Sequence, residues 1–102
     1  MIRLISDNQE ALEKLCRRFR VRRLEVFGSA VRDEFNAQTS DLDFLVEFQD
    51  LAATEYADTY FGLLEGLQDL FERKVDLVTI SAVTNPYFLR SIDRARKLLY
   101  AA

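Results

Sequence analysis

The chain reads as an α/β domain, a small β-sheet covered by helices. Three observations carry this reading. Apolar residues recur at helical spacing in some segments and crowd short β-rich runs in others. The two kinds of segment alternate in the order αβαβαβα. The length, 102 residues, suits one domain with one modest core and is too short for two halves with a cleft between them. Residues 1–102 are therefore expected to form a single domain.

The first helix is predicted over Asn8 to Phe19. Ser6, Asp7 and Asn8 offer N-cap oxygens, and Leu12, Leu15 and Phe19 fall on one face. Cys16 on that helix reads as a small buried hydrophobe. Val21 to Phe27 is a strand that stops at Gly28. A short helix follows from Ala30 to Phe35, then a polar turn from Asn36 to Ser40. Asp41 to Phe48 is a second strand, apolar on both faces as suits the middle of a covered sheet. Thr54 to Phe71 is a long amphipathic helix whose buried stripe is Tyr60, Leu63, Leu64, Leu67, Leu70 and Phe71. Gly62 and Gly66 weaken it by up to ~1 kcal/mol each unless close packing requires them. Val75 to Ile80 is a third strand. Asn85-Pro86 opens a last helix that runs to about Ala95, with Arg90, Arg94, Arg96 and Lys97 along it. Leu98-Leu99-Tyr100 adds a short strand or packs the end.

Composition narrows the chemistry. The formal net charge of −3 argues against a general nucleic-acid binder, and no direct nucleic-acid partner is expected. There is no His, which excludes a Ser-His-Asp triad, a Cys-His pair and His-ligated zinc. The single cysteine excludes an internal disulfide and a Cys-rich metal site. No signal peptide or membrane span is visible, so a cytoplasmic protein without a membrane partner is expected. Carboxylates, hydroxyls and cations must carry any reaction.

Asp41 and Asp43 share a face of their strand, about 6.5–7 Å apart at Cα. Two like charges so close would be relieved by a divalent cation, and oxygen-only ligands suit Mg²⁺ or Mn²⁺. Taken alone, the pair reads as well as a turn cap and an exposed strand end. Asp76 lies in the apolar run Val75-Asp76-Leu77-Val78, where an unpaired carboxylate is expensive to bury. If its strand neighbours Asp41 to Phe48, three acids cluster and hold two metal ions. Gly28-Ser29, between a strand and a helix, offers free backbone N–H groups to an anion, with the Ser29 hydroxyl as a further donor. Arg32, one turn on, reaches a phosphate or a carboxylate. By itself Gly28-Ser29 is also a plain tight turn. Together, an anion cradle and three acids are what nucleotidyl transfer from a triphosphate needs.

Gly28-Ser29-Ala30-Val31-Arg32, then Ser40-Asp41-Leu42-Asp43-Phe44-Leu45-Val46, then Arg73-Lys74-Val75-Asp76-Leu77-Val78-Thr79, together resemble the nucleotidyltransferase superfamily related to DNA polymerase beta. Within it, the chain is most similar to the minimal nucleotidyltransferase (MNT) domains. Val31 departs from the small Ala often found there, a matter of packing. The resemblance implies the polymerase beta-like fold with a small mixed sheet. It implies that Asp41, Asp43 and Asp76 are catalytic and hold two Mg²⁺ ions, with Mn²⁺ as substitute. It implies that Gly28 and Ser29, with Arg32 and Ser40 beside them, bind the nucleotide, ATP. MNT proteins are commonly the antitoxins of HEPN-family toxins, in hetero-oligomeric toxin–antitoxin pairs. Some transfer AMP from ATP to a tyrosine of the toxin. Two other functions stay open: an antitoxin that binds nucleotide and neutralises its toxin by occlusion alone, and a small-molecule nucleotidyltransferase.

Two further features have ordinary readings beside functional ones. Arg17, Arg18, Arg20, Arg22 and Arg23 form a basic cluster that docks an acidic partner or RNA, or solvates a helix end. Tyr56, Tyr60 and Phe61 make an interface or base-stacking wall, or half-buried packing.

Overall fold

A computed structural model describes residues 3–28, 41–80 and 96–102. Their elements are α1 (Arg3–Ser6), α2 (Gln9–Arg18), β1 (Val21–Phe27), β2 (Leu42–Phe48), α3 (Ala53–Phe71), β3 (Val75–Thr79) and β4 (Arg96–Ala101). The helix expected over 30–35, the turn over 36–40 and the helix expected over 86–95 lie outside the described residues.

The strands form one sheet in the order β3-β2-β1-β4. β1 pairs antiparallel with β2 and with β4, whereas β2 and β3 are parallel. A parallel pair needs a crossover, and the 19-residue α3 supplies it. The sheet is therefore mixed, with β1 and β2 at its centre.

Register decides which side chains share a face. Val26, Phe44 and Leu77 oppose one another across three strands, and Leu24 opposes Val46. All five are buried. The helices lie on this side: Leu12 and Cys16 of α2 and Leu63, Leu67 and Phe71 of α3 join the same cluster. The Phe71 ring stacks on Phe44 with centroids 5.9 Å apart. Tyr60, Leu64 and Leu70 pack at the margin of the stripe and are only partly buried. Both helix glycines have a packing reason. A Cβ on Gly62 would come within 2.5 Å of the Phe19 ring, and one on Gly66 within 2.8 Å of a Leu15 methyl. Their low helix propensity is the cost of letting α2 lie closely on α3.

The two ends of the chain depart from expectation. Asn8 does not cap α2 with its side chain; its Nδ2 donates to Leu4 O at 2.8 Å and ties α2 back to α1. The turn α1 forms because Ile5, fully buried, anchors it in the core. Arg96 and Lys97, placed by sequence along the last helix, belong to β4 instead. Leu99 is buried there, the β4 backbone pairs with β1, and Gln9 Nε2 donates to Leu99 O at 2.7 Å.

Candidate functional site

All four strands bring an end to one side of the sheet. β1 finishes there with Phe27, followed by Gly28, and β2, β3 and β4 begin there, with Asp43 and Asp76 second in their strands and Arg96 first. These side chains alternate away from the core row, so Asp43 and Asp76 stand on the face opposite α2 and α3.

Asp43 and Asp76 are register partners across β2 and β3, near enough for their carboxyl groups to hydrogen-bond when Asp43 is protonated. Two carboxyl groups make that bond only if one of them keeps a proton. Burial pushes the Asp43 carboxyl up to about 6, and the bond to Asp76 and the charges of Asp76 and Asp41 push the same way. Asp76 itself is exposed, contrary to the expectation of a costly buried carboxylate, because β3 is the outermost strand of the sheet on this side.

Asp41 sits just before β2, half-buried, with Oδ2 4.0 Å from Lys74 Nζ. Leu42 N–H donates to Lys74 O at 3.3 Å, which joins the starts of the two strands. Among the described residues no group of three His, Cys, Asp or Glu gathers closely enough to hold a metal ion. The three expected acids thus stand as an adjacent pair on neighbouring strands, with the third drawn toward a lysine.

Gly28 follows Phe27 with φ 77, in the left-handed region that glycine enters freely. A Cβ there would lie 2.6 Å from Asp43 Oδ2. The bare backbone of Gly28 therefore leaves room for the Asp43 carboxylate. Of the other nucleotide-binding residues expected, Ser29, Arg32 and Ser40 lie outside the described residues.

The sequence and fold have counterparts among known proteins. The nucleotidyltransferase domain family matches residues 9–99. The chain belongs to the nucleotidyltransferase family. A relative in Methanocaldococcus jannaschii, named for protein adenylyltransferase activity, is 36% identical over 96 residues, covering 90% of this chain and 94% of the relative. A solved structure described as a minimal nucleotidyltransferase is 29% identical and superposes with a TM-score of 0.74, covering 91% of this chain and 90% of that one. The complex of a tri-AMPylated Shewanella oneidensis HEPN toxin with its MNT antitoxin matches at a TM-score of 0.65 and 20% identity, covering 95% of this chain and 72% of that one, a likeness of fold. The chain is thus a minimal nucleotidyltransferase in fold and an enzyme by family.

The donor set suits the family's chemistry. Asp43 and Asp76 offer only oxygen, and their like charges stand side by side at the end of the sheet next to Gly28. Hard divalent cations such as Mg²⁺ take such ligands.

Glu25 and Arg96 were not singled out by sequence as site residues. Glu25 is 2% exposed, and Arg23 Nε donates to its Oε1 at 2.5 Å. Arg96 Nε lies 3.0 Å from Oε2, an ion pair outside hydrogen-bonding geometry. The available signal was an acid at an alternate position of a strand otherwise apolar at Leu24 and Val26, with arginines at hand.

The remaining clusters have structural partners. Arg20 bonds Glu55 at 3.0 Å, and Arg22 lies 3.8 Å from Glu47 and from Asp50, while Arg17 and Arg18 are exposed at the end of α2. Tyr60 donates its hydroxyl to Leu77 O at 2.5 Å. Burial, then Tyr56 and Asp76, hold that phenol above its ordinary pKa. Tyr56 and Phe61 are exposed and border a groove of about 470 Å³ along β3, which Leu77, Val78 and Thr79 also line. Cys16 is buried, as expected, and desolvation pushes its thiol up to about 12. Among the described residues no helix is long and apolar enough to cross a membrane.

Proposed function

We propose that this nucleotidyltransferase is the antitoxin partner of a HEPN-family toxin in the cytoplasm, and that it transfers AMP from ATP to a toxin hydroxyl, a tyrosine. The observation that carries this reading is the Asp43–Asp76 pair set against the bare backbone of Gly28. The comparison with a tri-AMPylated HEPN toxin bound to its MNT antitoxin supports the kind of acceptor.

In the reaction, the acceptor oxygen attacks the α-phosphorus in line with the departing pyrophosphate. The new O–P bond forms as the α-phosphorus–oxygen bond to the β-phosphate breaks. The acceptor oxygen must come within about 3–3.5 Å of the phosphorus. Gly28 and Ser29 would bind the phosphates, a task in which Arg32 and Ser40 would share. Asp76, exposed at the outermost strand, takes the proton from a phenol whose ordinary pKa is near 10. Asp41, Asp43 and Asp76 would hold Mg²⁺ or Mn²⁺, with Asp41 leaving Lys74 to do so. Held there, such ions would supply charge neutralisation at the phosphates and a lower pKa for the attacking hydroxyl.

Intact-mass spectrometry of the toxin after incubation with this protein, ATP and Mg²⁺ is the test. An added AMP that disappears with Asp41→Asn or Asp76→Asn is the expected result. A toxin neutralised at unchanged mass would leave this protein a binding module.

A further inference from the structure

The outer edge of β3 carries a surface that the transfer chemistry does not use. β3 is outermost in the order β3-β2-β1-β4. Lys74 O accepts from Leu42 N, so that carbonyl faces β2, and alternation along the strand turns the backbone groups of Leu77 outward. The Tyr60 hydroxyl donates to Leu77 O there, at 2.5 Å. The phenol stands where an added strand would need that carbonyl, so an occupant of this edge engages it through side chains. The edge borders a groove of about 470 Å³ whose other wall is Tyr56, Tyr60 and Phe61 of α3.

That wall is braced and open. Phe61 is 57% exposed and Tyr56 37%. Phe61 meets the Tyr60 ring edge-on with centroids 5.1 Å apart, and Tyr56 meets Phe48 in the same way at 5.6 Å. Exposed rings held by such contacts lose little freedom when a partner covers them. Charge borders the wall as well. Helix α3 holds Glu55, Asp58, Glu65 and Asp69 and no lysine or arginine. Asp58 and Glu65 lie three residues before Phe61 and four after it, on its side of the helix, and both are exposed. Glu55 is taken by Arg20, whereas Asp58 and Glu65 have no ion-pair partner among the described residues. This negative border repels the phosphates of a nucleotide, and a second copy would set the same acids against one another. A cationic protein segment meets neither obstacle.

We propose that the acceptor protein docks in this groove, setting an apolar side chain against Tyr56 and Phe61 and a lysine or arginine against Asp58 and Glu65. This rests on the nucleotidyl-transfer reading above and adds the surface and the charge by which the acceptor is chosen. The groove is continuous with the site: Leu77, in its wall, follows Asp76 directly, with Cα atoms about 3.8 Å apart. Asp76 points to the face away from α3, and β3 is the last strand on that side. A segment seated in the groove therefore passes around a single strand edge to bring its hydroxyl to the carboxylate. The flanking cation sorts acceptors, because an acid in its place sets like charges together beside the Phe61 contact.

The test uses the full chain with the HEPN-family toxin as acceptor, and measures toxin binding, AMP transfer, ATP affinity and thermal melts. Phe61→Ala should weaken toxin binding about ten- to thirtyfold and raise the KM for toxin in step, while kcat at saturating toxin and ATP affinity each change less than about twofold. Asp58→Asn combined with Glu65→Gln should weaken toxin binding about three- to tenfold in low salt, and the difference should vanish near 1 M salt, where screening reaches ~3 Å. Asp58→Lys combined with Glu65→Lys should weaken it further. Should Phe61→Ala melt early, the paired acid variants carry the same comparison. Toxin binding unchanged in the Phe61 and the paired acid variants would overturn the proposal and leave the nucleotidyl-transfer reading standing. A loss of ATP affinity in Phe61→Ala would overturn it in favour of a base-stacking wall. A wild-type dimer that Phe61→Ala dissociates would overturn it in favour of contact between two copies. A wild type that binds the toxin without AMP transfer would overturn the nucleotidyl-transfer reading, while the variants still decide the docking surface. A wild type that neither binds nor modifies the toxin would overturn both.

Discussion

The two faces of one sheet answer to different physics. Toward α2 and α3, Leu24, Val26, Phe44 and Val46 are fully buried in one apolar cluster. On the other face, the same strands carry Phe27, Asp43, Asp76, Glu25 and Arg96. The first face lowers the free energy of the fold by removing apolar surface from water. The second face holds like charges together at Asp43 and Asp76 and buries an ion at Glu25, arrangements that favour a ligand more than the empty fold. Alternation along a strand lets both coexist within about 3.3 Å of chain.

The comparison breaks most sharply at Asp43. Asp43→Asn should lower AMP transfer on the order of a thousandfold, the loss of a metal-site charge, while the melting temperature of the metal-free protein holds or rises. Transfer rate and melting curve on the same preparation decide it; an active or an unfolded variant would remove the distinction between the faces. The converse substitution lies on the helix-covered side. Leu67→Ala should cost about 2–5 kcal/mol of stability by leaving a cavity, with the transfer rate per folded molecule little changed. Denaturant unfolding with activity normalised to folded protein measures both.

Acid should sharpen the difference more gently. Asp43 titrates near 6 in the folded chain and at an ordinary 3.8 when unfolded, so folding favours its protonated form. That contribution to stability is full below about pH 4 and fades as pH rises through 6. The metal-free protein should lose stability over this window relative to Asp43→Asn, while Mg²⁺ binding strengthens over the same window as the proton leaves. Melting curves in EDTA from pH 4 to 7, for both proteins, read the first effect. The smallest effect belongs to Cys16. Buried, with its thiol pushed up to about 12, it should resist a thiol reagent in native buffer and react only on unfolding.

Legibility divides along the same faces. Val21–Phe27 was marked in full by its β-rich run and its stop at Gly28, and α3 by its Leu63, Leu67 and Phe71 stripe. Asp43 and Asp76 were readable because an acid inside an apolar strand demands a reason. Glu25 was not, since a period of two tells which residues share a face but not whether something covers that face. Arg96 was misplaced onto a helix because its run, Asp93-Arg94-Ala95-Arg96-Lys97, has strong helix formers and its strand partner, Phe27, is far away in sequence. Asn8 looked like a cap, and only the fold shows its amide turned back to Leu4.

The sheet order also bears on how the chain reaches this state. β1 lies between β2 and β4, and β4 is Arg96–Ala101. During synthesis β1 and β2 can meet early, but the other side of β1 exposes unpaired amides and carbonyls until residues 96–101 have emerged. A ribosome-bound intermediate of this protein therefore carries an open strand edge at the centre of its eventual sheet, where a stray strand can add. Such long-range closure also makes for slow folding.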